Sequence, residues 1–165
     1  DLLERAEQEL VDRAMRRFAA NPAIGLLGST RARRLGVFSF VLDGGRLHHK
    51  LAVRLLNDLH GIQARSGCMC AGTYGHHLLG IGKEASKSIR SALDHGGIWS
   101  KPGWTRISVS PLTDPEDLDL ALDAIDSIST GYRDYEGLYE RDESGEYVWA
   151  GGGFLEEPPR LELSI

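Results

Sequence analysis

Cysteine is scarce in this chain: 165 residues hold two, Cys68 and Cys70. Two thiols cannot build the disulfide framework of a small secreted domain, so the sequence reads as a protein of a reducing, cytoplasmic compartment. Long apolar runs are missing too. None approaches the ~20 residues that a membrane-crossing helix needs, and no signal-peptide pattern opens the chain. A basic excess is also absent, with Lys+Arg 19 against Asp+Glu 24 and a net charge of −5. The short basic runs, Arg16-Arg17 and Arg31, Arg33, Arg34, offer no stripe for nucleic acid or an anionic membrane. There is no repeat, no low-complexity tract and no initiating methionine. The chain starts at Asp1 inside a charged helical pattern, which predicts a piece of a longer protein.

What remains is the composition of a soluble globular domain, 41% apolar and 26% charged, long enough for one core. Residues 1–20 form a leading helix, with Leu3, Leu10, Ala14 and Phe18 at helical spacing and Asn21-Pro22 as its stop. "AIGLLG" is a short strand. "VFSFVL" (37–42) is an apolar run of strand length, which predicts a central strand. A helix follows over 48–60, with Leu51, Leu55 and Leu59 on one face and Gly61 closing it. "IQARS" (62–66) reads as a strand, and a further helix lies within 76–95, with Ala85, Ile89, Ala92 and Leu93 at helical spacing. "TRISVS" (105–110) alternates like a half-buried strand. Thr113-Asp-Pro-Glu116 reads as a capping box opening a helix that carries Leu118, Leu122, Ile125 and Ile128. After Gly131 the composition turns Tyr-, Gly- and acid-rich, with a hairpin turning at Glu143-Ser-Gly145. The alternation of hairpins and single helices predicts an α+β fold: a small, mostly antiparallel sheet with helices packed on one face. The domain itself spans 21–130, and 131–165 is a tail.

The chemistry concentrates in "RSGCMCAG" (65–72). Cys70 lies in a Gly-rich loop between a strand and a helix, with Arg65 before it and His76-His77 after it, surroundings that favour a thiolate nucleophile. Three other readings stay open. Cys68, Cys70, His76 and His77 are four zinc-ligand types, although C-x-C beside an adjacent His pair is off the usual spacing. A Cys68–Cys70 disulfide would close a very small, strained ring and serve only as a labile redox pair. Both thiols could also be buried as small hydrophobes of a plain interaction domain. Lys50 invites a Schiff-base reading, but the first turn of an amphipathic helix favours an ordinary solvated lysine. Arg65 has the fork geometry for a carboxylate. "GIGKEAS" (80–86) lacks the Gly-Lys-Ser/Thr ending of a phosphate loop.

"GVFSFVLDG", "LLNDLHGIQARSG", "CMCAG" and "GWTRISVSPLTDPEDLDLALDAI" follow in an order that resembles the class V aminotransferases, the group of pyridoxal-phosphate enzymes that includes the cysteine desulfurases. The resemblance covers about residues 20 to 130. Its most specific element is R-x-G-x-x-C-A, here Arg65, Gly67, Cys70 and Ala71. It implies the C-terminal small domain of such an enzyme, acting on a small amino acid. Arg65 would bind the substrate carboxylate, and Cys70 would be the catalytic thiol facing the reacting group. The Schiff-base lysine and phosphate-binding residues would lie upstream, in an N-terminal large domain of the same parent chain. Pyridoxal phosphate would then bind the parent and not this piece, which alone would be inactive. The parent would be a homodimer, and the isolated piece, lacking its covers, would tend to self-associate. Cys68 and Met69 stand where desulfurases carry more polar residues, commonly histidines. The alternative is a non-enzymatic metal or redox module built on Cys68, Cys70 and the His pair.

Overall fold

The computed structural model describes residues 2–67, 72–97 and 101–151. In chain order these form α1 (Leu2–Ala20), β1 (Ile24–Leu26), β2 (Val37–Leu42), α2 (His49–His60), β3 (Arg65–Gly67), α3 (Gly72–Leu78), α4 (Lys83–Asp94), β4 (Trp104–Ser108), α5 (Pro115–Gly131), α6 (Arg133–Glu136), β5 (Tyr139–Arg141) and β6 (Tyr147–Trp149). The α+β class holds. Four strands form one antiparallel sheet in the order β1-β2-β4-β3, and β5-β6 form a separate hairpin.

The apolar run of β2 is central, paired with β1 on one side and β4 on the other. Pleating sorts its side chains. Phe38, Phe40 and Leu42 are buried, while Val37 is exposed and Ser39 and Val41 are half-buried. The register sets Phe38 opposite Ile107 and Phe40 opposite Thr105, so all four lie on the core face.

Helices α1, α2 and α5 cover that face. Leu10, Val11, Ala14 and Phe18 form the buried stripe of α1, and the Phe18 ring packs 5.3 and 5.4 Å from Phe38 and Phe40. From α2 come Leu51, Ala52, Leu55 and Leu56; from α5, Leu118, Leu122, Ile125 and Ile128. An ionic seam runs between α1 and α5, where Arg13 pairs with Asp119 and Arg17 with Asp123 and Asp126. Asn21, the stop of α1, joins it by donating from Nδ2 to Asp126 Oδ1 at 2.7 Å.

Local signals are obeyed with three adjustments. Gly61 ends α2 in the left-handed region (φ 68°), a conformation that costs glycine little. The helix expected within 76–95 is α4, and an unanticipated helix, α3, precedes it across Gly80 (φ 67°). The strand expected from 62 begins at Arg65. The cap of α5 is Asp114 and not Thr113: the Asp114 carboxylate accepts from Glu116 N at 2.9 Å, while Thr113 Oγ1 accepts from Ser110 N. Pro115 follows at the first helical position, as expected.

The hairpin expected around Glu143–Gly145 is present, and Asp142 Oδ1 accepts from Ser144 N and Glu146 N across its turn. It docks on α2. Tyr139 Oη donates to Asp58 Oδ2 at 3.0 Å, and Lys50 Nζ donates to Gly145 O at 2.7 Å and Glu146 Oε1 at 2.6 Å.

Candidate active site

The face of the sheet turned away from α1, α2 and α5 carries the candidate site. Along β3, Arg65 and Gly67 point to this face and Ser66 to the other, because successive side chains alternate. In the register of β3 with β4, Arg65 is paired with Arg106 and Gly67 with Trp104. The two arginines are therefore cross-strand neighbours, with Cβ atoms about 5 Å apart. Ser39 on β2 is the next residue in the same row. Neither guanidinium has an acidic partner among the described residues. Two like charges directly opposite each other oppose sheet formation, so an anion bound between the two guanidiniums would relieve their repulsion.

The surroundings of this pair are rich in donors. Trp104 is buried, and its indole N–H has no acceptor among the described residues. Arg106 Nε is likewise buried without a partner. A bidentate carboxylate is the anion whose geometry suits two guanidinium forks.

A scan of the chain against protein-family models matches residues 1–120 to Aminotransferase class-V. This chain belongs to the class V aminotransferases. The match begins at residue 1 and so includes α1. A comparison with curated proteins finds no match. Members of the class V aminotransferase family are pyridoxal-phosphate-dependent enzymes.

The described residues of this class V chain do not fit the covalent anchor of that cofactor. A Schiff-base lysine is an unengaged amine in a desolvated pocket. Lys50 is held by Gly145 O and Glu146, Lys87 pairs with Glu84, and Lys83 and Lys101 are exposed. These are the four lysines of the sequence. The expectation that Lys50 is a freely solvated first-turn residue needs correcting, since its side chain is 19% exposed and anchors the hairpin.

Behind the arginine pair, a groove of about 480 Å³ runs between α2, the segment 63–66 and β6. Ala64 and Ser66 line it, so β3 separates this groove from the arginine face. At the start of α2, His48 and His49 stack with ring centroids 4.4 Å apart. Burial, and then the charges of His49, Arg141 and Lys50, push His48 down to about 4. Burial also pushes His49 down, opposed by a hydrogen bond to the Lys101 carbonyl.

Of the residues expected to carry chemistry, Arg65 lies in β3 with its side chain exposed on the arginine face. Cys68 and Cys70 lie outside the described residues. His76 and His77 sit in α3, where His77 stacks on Tyr74. No group of three or more metal-ligating side chains occurs among the described residues. Arg106 was not anticipated. The alternation of "TRISVS" marked it as a polar-face residue, and only the strand register places it beside Arg65.

Proposed function

We propose that this chain is the C-terminal small domain of a pyridoxal-phosphate-dependent class V aminotransferase acting on a small amino acid, and that it supplies the substrate's carboxylate clamp. The observation that carries this is the Arg65–Arg106 pair, two guanidiniums opposed across β3 and β4 with no acid between them among the described residues. Arg65 and Arg106 grip the carboxylate and so fix the orientation of the amino acid, which turns binding energy into alignment of the reacting bond. Cys70 lies three residues after Gly67, where the strand that carries Arg65 ends. It is the thiol presented to the reacting side of a substrate held by its carboxylate.

The cofactor belongs to a large domain encoded upstream of Asp1, with its own lysine, and the working unit is a homodimer. Leu35, Val37 and Leu112 are exposed apolar residues of this chain and supply surface for such covers.

The test uses the whole protein read from the gene. Charge-assisted hydrogen bonds of this kind contribute about 1.5–3 kcal/mol. Arg65→Gln and Arg106→Gln should therefore each raise KM for a small amino acid by about 10- to 100-fold, with a much smaller effect on kcat. An amine without the carboxylate should be used equally well by all three proteins. An upstream sequence with no cofactor-binding domain, or an unchanged KM in both variants, refutes the reading.

A further inference from the structure

Three stretches of backbone converge on Gly103: the start of α2, the end of β3 and the segment 101–103 that leads into β4. The packing there leaves no room for one carbon atom. A Cβ added to Gly103 would lie 2.6 Å from His49 Nε2 and 2.7 Å from the Cα of Gly67. His49 Nε2 also faces Lys101 O at 3.5 Å. A carbonyl oxygen only accepts, so the ring proton sits on Nε2 and Nδ1 keeps a bare lone pair. Nδ1 is buried without a partner among the described residues. Gly103, the residue before the strand bearing Arg106, is thus closed in by the His49 ring and by Gly67, the last residue of the strand bearing Arg65.

We propose that His49 is a positioning residue for the carboxylate clamp: its neutral imidazole, wedged against Gly103, presses the start of β4 against Gly67 at the end of β3 and thereby holds Arg65 beside Arg106. The proposal rests on the reading of those arginines as the carboxylate clamp. It adds a residue from the opposite face of the sheet that acts through backbone contact and never touches substrate.

The wedge works only while the ring is neutral. A proton on Nδ1 would be a buried donor with no acceptor. The groups facing the ring make that proton unwelcome. Lys50 and His48 come from α2 and Lys101 from the 101–103 segment; Glu146, from the hairpin, is the one opposing charge. Acidification should therefore loosen the end of β3 before the core unfolds.

The experiment follows backbone amides and arginine Nε–H groups of the full 165-residue chain by NMR, in the wild type, His49→Gln and His49→Ala. Hydrogen exchange at Gly67 and Trp104 should rise at least tenfold in His49→Ala, with Leu55 in mid-α2 unchanged. His49→Gln keeps a donor for Lys101 O and should stay within about threefold of the wild type. As the pH is lowered from 7, the Gly67 and Arg65 signals should move together with the His49 ring in the wild type and stay still in His49→Gln. Exchange in His49→Ala within twofold of the wild type overturns the proposal. So does an equal rise at Leu55, which would make His49 a general core residue. Acetate is added separately as the carboxylate probe. If it fails to shift the Arg65 and Arg106 Nε–H signals of the wild type, the clamp reading fails, while the exchange data still judge the wedge.

Discussion

His48 sets the acid limit of this fold. Its ring lies between His49 and Tyr147, with centroids 4.4 and 5.5 Å away, and its Nδ1 caps α2 by accepting from Lys50 N. In the folded chain burial holds it neutral down to about pH 4, whereas the unfolded chain takes the proton near 6.5. The folded-state value is depressed, so the stability it protects is complete above pH 6.5 and is lost as the pH falls towards 4. The full shift would be worth about 1.4 kcal/mol for each pH unit, but the ring is only half-buried and solvent screens it, which leaves roughly 2 kcal/mol in all. About 1 kcal/mol of that falls between pH 6.5 and 5. His48→Asn removes the titration and keeps a side chain that caps helices well. Urea unfolding of both proteins at pH 7.5, 6.5 and 5 should show the wild type losing about 1 kcal/mol more than the variant across that window. Burial lowers His49 and His60 as well, and both proteins share that part of the slope. The carboxyls of Glu4, Asp43 and Asp142 are held below their ordinary values by Arg33, Tyr132 and Ser144 respectively, so they titrate below the window. Parallel stability curves for the two proteins would refute the reasoning.

The other perturbations probe the core and the hairpin. Leu55 is fully buried beneath the sheet, so Leu55→Ala should cost about 2–5 kcal/mol and lower Tm by roughly 5–15 °C in a thermal melt, and a loss below 1 kcal/mol would contradict its place in the core. Burial and then the Asp58 charge raise the Tyr139 hydroxyl above its ordinary value of 10, so its contribution is intact below pH 10 and is lost above it. Melts at pH 9 and 11 should show an alkaline destabilisation in the wild type that Tyr139→Phe lacks.

What the sequence made legible was whatever a few neighbouring residues determine. The apolar run 37–42 could only be an internal strand, Leu51-Leu55-Leu59 required a helix, Gly61 marked its end, and Pro115 marked the start of α5. Where two local signals competed, spacing alone did not choose. Thr113 and Asp114 are both good caps, and the Ser110 amide engages the first, leaving the second for α5. Gly80 sits inside a helical pattern whose two halves each have their own face, and its left-handed backbone separates them. The arginine clamp was half legible. Arg65 announced itself through its neighbours, but Arg106 lies 41 positions later and becomes a partner only through the β3–β4 register. His49 gave no signal, because its role depends on two glycine backbones brought together from elsewhere in the chain.

The seam between α1 and α5 has a consequence for the order of assembly. Arg13 and Arg17 find their carboxylates more than a hundred residues downstream, and the stripe of α1 shares its core with Leu118 and Leu122. During synthesis Phe38 and Phe40 reach Phe18 early, but the flank of α1 that faces α5 stays unpaired until nearly the whole of α5 has left the ribosome. Contacts of such separation slow folding. The charged flank of α1, with the acids Glu4, Glu7, Glu9 and Asp12 and the bases Arg5, Arg13, Arg16 and Arg17, keeps that waiting helix soluble until its partner arrives.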